Sequence, residues 1–158
     1  MSDQSDTVVG LHHTGYTVRD LERSLHFYRD LLGCEVVARQ EKRGGYLAAI
    51  VGYPDAHVRM AHLRAPVSGH IIELFQYMSP APDLPSGPLE PRNVGTSHMC
   101  FVVSDLASLY ERLLAAGVEF FSEPVAIDTG INAGGRSLYL RDPDGIPMEL
   151  FQLPAGRA

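Results

Sequence analysis

Two histidines and two glutamates occupy matching positions in a sequence that repeats itself. The tetrapeptide Glu-Leu-Phe-Gln occurs at Glu73–Gln76 and again at Glu149–Gln152. A segment upstream of each copy begins with a histidine, at His13 and at His98, and both segments continue to a Val, an Asp and a Leu at identical spacing. The chain is therefore an internal duplication, and each half contributes one imidazole early and one carboxylate late.

Two imidazoles and two carboxylates are the ligands that a divalent metal site needs. Alternate residues of a strand face the same side, so Glu73 shares its face with bulky apolar neighbours such as Ile71 and Phe75. An ionised carboxylate among such neighbours is costly unless it is paired or bound to a metal, and glutamate is depleted from strands. The recurrence of this arrangement at Glu149 favours a metal site over chance.

The remaining histidines are interpreted differently. His12 and His13 are adjacent, so they face opposite sides of a strand, and the repeat selects His13 for the site. A lone strand histidine is more often a hydrogen-bonded core residue than a metal ligand. Four histidines have no counterpart in the other half and are interpreted as surface or structural residues, namely His26, His57, His62 and His70.

Both halves are predicted to form a strand, a helix and then further strands. Asp20 and Asp105 are expected N-caps, and Gly33 and Gly117 are expected to end the two helices. The first half is predicted to contain a strand at 8–18, a helix at 21–32 with an apolar stripe, and strands at 35–39, 45–51, 58–63 and 71–77. The second half is predicted to contain a strand at 96–103, a helix at 106–116 and strands at 118–122, 136–140 and 148–153.

The Pro-rich stretch 79–91 forbids regular structure and indicates a linker. Each βαβββ module is too small to bury one face of its own sheet, so the two are expected to share a core. The predicted organisation is an N-terminal tail at 1–7, one domain at 8–153 and a C-terminal tail at 154–158. Within that domain, module one covers 8–78, the linker 79–95 and module two 96–153.

Composition narrows the function classes. At 158 residues, with 45% hydrophobic content and a net charge of −6, the chain fits one globular domain and not a nucleic-acid or membrane partner. The acidic first residues are the reverse of a secretory signal, so a cytoplasmic location is expected. Cys34 and Cys100 are expected to pack in the core, because their spacing fits no metal motif and a disulfide is disfavoured.

Several motifs together resemble the vicinal oxygen chelate superfamily. This superfamily includes glyoxalase I, methylmalonyl-CoA epimerase, extradiol dioxygenases and fosfomycin or bleomycin resistance proteins. The motifs extend over 8–153 and are His13 through Leu21, the helix ending Phe27 through Gly33, Glu73, His98 through Leu106, and the Asp-Pro-Asp-Gly turn at Asp142 that leads into Glu149. The resemblance implies an α+β fold in which two βαβββ modules form an incomplete barrel around a metal, often in a homodimer.

The resemblance also implies the site. One divalent ion (Zn, Ni, Co, Mn or Fe) would be held by His13, Glu73, His98 and Glu149, with two positions left for water or substrate oxygens. The implied activity is that of a lyase or isomerase of the glyoxalase I or epimerase type, which acts on a small carbonyl or thioester substrate through an enediolate. Glu149 and Glu73 are the two candidate bases. Arg136 and Asn132, in the Gly-rich segment 130–136, are candidate substrate ligands.

Two other functions stay open. An extradiol dioxygenase acting on a catechol is one alternative, but the stretch before Leu138 lacks the histidine that ring cleavage would use. A small-molecule binding or resistance protein is the other, although simple sequestration does not need a full set of metal ligands. A strict epimerase assignment meets Met60 where a further catalytic glutamate is expected, and nothing in the sequence indicates glutathione specificity.

Overall fold

The computed structural model describes residues 7–157, which separate into two compact units with the boundary between Pro82 and Asp83. This boundary lies in the Pro-rich segment. Among residues 7–157, no helix is long and apolar enough to cross a bilayer.

The first unit contains one four-stranded sheet in the order β1-β4-β3-β2. Strands β1 and β4 are parallel, while β4 with β3 and β3 with β2 are antiparallel. A short π-helical segment, His26–Leu31, continues directly from the first helix. The elements in chain order are β1 (His13–Thr17), α1 (Leu21–Leu25), β2 (Glu35–Arg43), α2 (Gly45–Val51), β3 (His57–Arg64) and β4 (Ile71–Ser79).

The second unit repeats this topology. Its sheet has the order β5-β8-β7-β6, with β5 and β8 parallel and the other pairs antiparallel. Its elements are β5 (Met99–Val102), α3 (Leu106–Ala115), β6 (Val125–Ala126), β7 (Arg136–Arg141) and β8 (Pro147–Gln152). The two mixed sheets confirm the predicted α+β fold with two βαβββ modules.

Segment 45–51, predicted to be a strand, is the helix α2. Gly44 and Gly45 have positive φ values of 55° and 61°, which turn the chain out of β2 at the start of this segment. Leu47 and Val51 then pack against Val58 and Met60. Positions four apart share one face of a helix and also one face of a strand, so this spacing by itself does not separate the two structures.

Three strand predictions need shorter or different bounds. The first strand of each module begins only at His13 or Met99, and residues 8–11 are exposed and irregular. Segment 118–122 makes a single β-bridge, between Phe120 and Leu140, and the fourth strand is instead the short β6. Pro124 lacks a backbone N–H donor and interrupts any continuous ladder between these segments.

The helix starts agree with the sequence. The Asp20 and Asp105 side chains accept hydrogen bonds from the backbone N–H groups of Arg23 and Ser108, respectively. Gly33 follows the first helical segment with φ 78°. The predicted apolar stripe is buried at Leu21, Leu25 and Tyr28, which anchors this segment to its sheet.

The repeated glutamine joins strand to helix in both modules. Gln76 Oε1 accepts from the backbone N–H of Leu21 at 3.2 Å, and Gln152 Oε1 accepts from that of Leu106 at 2.8 Å. The first N–H groups of a helix have no partner within the helix, so each glutamine satisfies one of them. The strand that carries each site glutamate is thereby fixed to the helix of its own module.

We expect Gln152→Ala to lower the free energy of unfolding by about 1 kcal/mol, because it leaves the Leu106 N–H without its acceptor. Urea denaturation should give a lower midpoint with an unchanged slope. Gln40→Ala is the matched control, since Gln40 is exposed on β2. Equal midpoints for the two variants would show that this hydrogen bond does not stabilise the fold.

Candidate metal centre

In module one, His13 and Glu73 form a close pair. The parallel pairing of β1 with β4 sets Gly15 opposite Glu73, and His13, two residues earlier, lies on the same face. His13 Nε2 lies 3.1 Å from Glu73 Oε2. The Nδ1 atoms of His12 and His13 are 2.7 Å apart, so a hydrogen bond on Nδ1 leaves His13 Nε2 directed at the carboxylate.

Module two contains the equivalent pair at the same separation. His98 Nε2 lies 3.1 Å from Glu149 Oε2. The other carboxylate oxygen, Oε1, accepts from the Ser137 hydroxyl at 2.6 Å. The Tyr139 hydroxyl lies 2.9 Å from His98 Nε2. Burial, and then the Glu149 charge, raises the pKa of Tyr139, so this phenol is protonated at neutral pH.

Both glutamates are largely withdrawn from solvent, with side chains only 13% (Glu73) and 19% (Glu149) exposed. A carboxylate in such a setting is stabilised by hydrogen bonds or a cation. Neutral imidazole nitrogens and carboxylate oxygens suit borderline divalent metals. Within residues 7–157, no group of three or more His, Cys, Asp or Glu side chains is arranged to hold a metal. Each module therefore supplies a pair of suitable donors and not a complete ligand set.

His62 was interpreted as surface or structural, but it contacts Glu73. Its Nε2 lies 2.5 Å from Glu73 Oε1, and the antiparallel register places His62 directly opposite Glu73. Tyr139 holds the same register position opposite Glu149. The sequence indicates this contact only when the bounds of β3 and β4, and therefore their register, are known. The other three unmatched histidines pair elsewhere, His26 with Asp30, His57 with Glu41 and His70 with Thr14.

Cys100, which was expected in the core, is exposed and lies opposite Glu149 in the β5–β8 register. Module one has Gly15 at the equivalent position, opposite Glu73. Partial desolvation of the thiol group, and then the nearby Glu149 charge, raises the pKa of Cys100 to about 12. The thiol is therefore protonated at neutral pH. Cys34 is buried as expected.

A cavity of about 460 Å³ adjoins Glu149. Its polar lining is concentrated at Ser137, Tyr139 and Glu149, with Ser122 as a further hydroxyl. The rest of the wall is apolar and consists of Pro91, Phe121, Val125, Ile127 and Leu138. A small molecule with an apolar body and one oxygen-rich end matches this distribution.

Arg141 contacts two segments that form the wall of this cavity, the linker and the segment around Phe121. Its guanidinium donates to the Leu89 carbonyl at 2.8 Å and pairs with Glu90 at 2.8 Å, which fixes the linker next to Pro91. It also lies 4.3 Å from the centre of the Phe121 ring. The linker is thus attached to module two by side-chain contacts and forms part of the cavity wall.

The two candidate substrate ligands do not adjoin Glu149. Arg136 precedes Ser137 on β7, so the two side chains face opposite sides of the sheet, and Ser137 faces Glu149. Arg136 lines a separate cavity with Ser104, Gln152 and other residues. Asn132 is exposed in the turn before β7 and lines neither cavity.

The chain matches the Glyoxalase/Bleomycin resistance protein/Dioxygenase superfamily over residues 10–150. It is 34% identical over 155 residues to a 2-epi-5-epi-valiolone epimerase from Actinomyces sp., covering 94% of this chain and 81% of that protein. It is 31% identical over 152 residues to a lactoylglutathione lyase from Pseudomonas aeruginosa, covering 89% and 81%, respectively. A glyoxalase family protein from Bacillus cereus has the same fold, with a TM-score of 0.85 at 20% identity, covering 96% of this chain and 99% of that one.

Proposed function

Because this chain belongs to the Glyoxalase/Bleomycin resistance protein/Dioxygenase superfamily, we propose that it is a divalent-metal-dependent lyase or isomerase acting on a small carbonyl or thioester substrate. One observation carries the proposal. Each module brings an imidazole Nε2 within 3.1 Å of the Oε2 atom of the matched glutamate. Relatives named as an epimerase and as a lactoylglutathione lyase support the reaction class.

We propose His13, Glu73, His98 and Glu149 as the ligands of one divalent ion. The donor set of two imidazoles and two carboxylates fits Zn, Ni, Co, Mn or Fe(II). When bound, such an ion would act as a Lewis acid that lowers the pKa of a C–H group next to the coordinated substrate oxygen.

Glu149 is the base in this proposal. It is the glutamate that lines the cavity, and Ser137 holds its Oε1. The substrate C–H bond breaks, its proton passes to Glu149, and the electron pair moves onto the oxygen of the adjacent carbonyl. The product is an enolate, which is an enediolate when the carbon that loses the proton carries a hydroxyl group. Return of the proton to a neighbouring carbon gives isomerisation, and return to the opposite face gives epimerisation. The Tyr139 hydroxyl, protonated at neutral pH, is available to orient a substrate oxygen.

The cavity next to Glu149 supports a substrate with an apolar body. Phe121, Val125 and Ile127 offer no charged partner, and Arg136 faces the other side of the sheet. An anionic group is therefore not an expected feature of the part of the substrate that enters this cavity. The homodimer implied by the family resemblance stays a prediction, which light scattering of the purified protein would test.

The decisive experiment is solvent deuterium incorporation. The metal-loaded protein would be incubated in heavy water with 2-oxoaldehyde–thiol adducts, acyl-CoA epimers, 2-epi-5-epi-valiolone and catechols, while dissolved oxygen is recorded. We expect deuterium to enter a carbonyl substrate without oxygen uptake. Oxygen uptake with a catechol by the iron-loaded protein would identify a dioxygenase, and binding of a compound without exchange would identify a binding protein.

A further inference from the structure

We propose that His62 is a positioning residue that holds Glu73 in the orientation a metal ligand needs. The proposal rests on the proposed function for the role of Glu73 itself. It concerns a residue that has no counterpart of its own kind in the repeat, since Tyr139 occupies the matching place in module two.

The backbone dictates the contact. Strands β3 and β4 pair antiparallel with His62 directly opposite Glu73. Side chains directly opposite each other on one face of a sheet have Cβ atoms about 5 Å apart, well within reach of an imidazole and a carboxylate. The pairing of these two residues therefore follows from the strand register and does not depend on a flexible loop.

The hydrogen bond also fixes the tautomer of His62. An ionised carboxylate only accepts hydrogen bonds, so His62 Nε2 must carry the proton that it donates to Glu73 Oε1. His62 Nδ1 is buried and has no hydrogen-bond partner among the described residues. The other tautomer would place a buried N–H group on Nδ1, where it has no acceptor in the described part of the chain, and would leave Nε2 without a proton to donate. Both ring nitrogens thus favour the tautomer with the proton on Nε2.

As a consequence, the two carboxylate oxygens of Glu73 have different partners. Oε1 is held by His62, and Oε2 lies 3.1 Å from His13 Nε2. The three residues are not arranged to hold a metal by themselves. His62 therefore binds one oxygen of the carboxylate, Oε1, and leaves Oε2 as the oxygen that can bind a metal.

The side chains that contact the glutamate differ in module two. The Ser137 hydroxyl donates to Glu149 Oε1. The residue opposite Glu149 in the register, Tyr139, contacts both His98 and Glu149 through its hydroxyl, so hydroxyl groups take the place that the His62 imidazole has in module one. Glu149 also lines the cavity. The geometry assigns unlike duties to the two carboxylates: Glu73 is a fixed ligand, and Glu149 is the one placed to exchange a proton with a substrate.

The test compares His62→Leu with His62→Gln, using the affinity of the metal-free protein for Co²⁺ measured by competition with a chelator. Leucine removes the donor, whereas the glutamine amide N–H can replace it. We expect His62→Leu to weaken Co²⁺ binding about 10- to 100-fold, as the loss of an outer-shell partner generally does. His62→Gln should recover most of the affinity.

His57→Leu is the matched control, because His57 lies on the same strand and bonds to the carboxylate of Glu41 at 2.6 Å. We expect its Co²⁺ affinity to equal that of the wild type. A His62→Leu variant that binds Co²⁺ as tightly as the wild type would overturn the positioning role. Equal losses in the Leu and Gln variants would also overturn it, since they would indicate a purely structural effect.

A second readout needs no metal. The Hε2 proton of His62 should give a protected imidazole resonance in the nuclear magnetic resonance spectrum of the metal-free protein, and Glu73→Ala should abolish it. Persistence of the resonance in that variant would overturn the proposal. Failure of the wild type to bind Co²⁺ at all would instead overturn the proposed function, so the two failures are distinguishable.

Discussion

Replacing His98 with alanine should weaken divalent-metal binding by more than about 100-fold, which exceeds the effect expected from an outer-shell change. His98 Nε2 faces Glu149 Oε2 at 3.1 Å, so the substitution removes the only imidazole of that pair. Tyr139 would also lose its hydrogen-bond partner on His98, but a phenol protonated at neutral pH is a poor replacement ligand.

The affinity is measured by titrating metal-free protein against a chelator of known strength. His26→Ala is the control, because His26 is exposed and pairs only with Asp30 within the described part of the chain. Its metal affinity should equal that of the wild type. Equal affinities in the His98 and His26 variants would remove His98 from the ligand set.

The second large effect is expected from Glu149→Gln. A positioned general base contributes about 10²- to 10⁴-fold to a proton transfer, so the rate of deuterium exchange per bound metal should fall by about that factor. The amide keeps the shape of the side chain and can still accept from Ser137, which limits structural disturbance. Metal occupancy must be measured beside each rate, because the substitution also removes a ligand charge.

Glu111→Gln supplies the control, since Glu111 is exposed on α3, away from the cavity. That variant should retain wild-type exchange. A Glu149→Gln protein that exchanges at the wild-type rate per bound metal would transfer the role of base to Glu73. Glu73→Gln would then be the variant that loses exchange.

The duplication made the topology predictable. Repeated His and Glu positions, the two capping aspartates and the helix-ending Gly33 all led to the observed order of strands and helices. Helix α2 escaped prediction because Leu47 and Val51 satisfy both a strand and a helix period. The positive φ values of Gly44 and Gly45, which decide between them, are invisible in the sequence.

The partners of the two glutamates were harder to foresee for a related reason. His62 and Tyr139 are opposite Glu73 and Glu149 only because of the register of two hairpins. A shift of one residue in either register would turn those side chains to the other face. Arg136 was predicted to bind substrate because it lies in a Gly-rich segment. Its position next to Ser137 on β7 instead directs its side chain to the face opposite Glu149.

X-ray absorption spectroscopy of the metal-loaded protein tests most directly whether the two His–Glu pairs form one metal centre. One bound ion per chain should give nitrogen and oxygen scatterers at about 2.0–2.2 Å, with the multiple-scattering pattern of two imidazoles. A sulfur scatterer at about 2.3 Å would implicate Cys100 and contradict the proposed ligand set. A spectrum with one imidazole, or with none, would contradict the claim that both modules contribute a histidine.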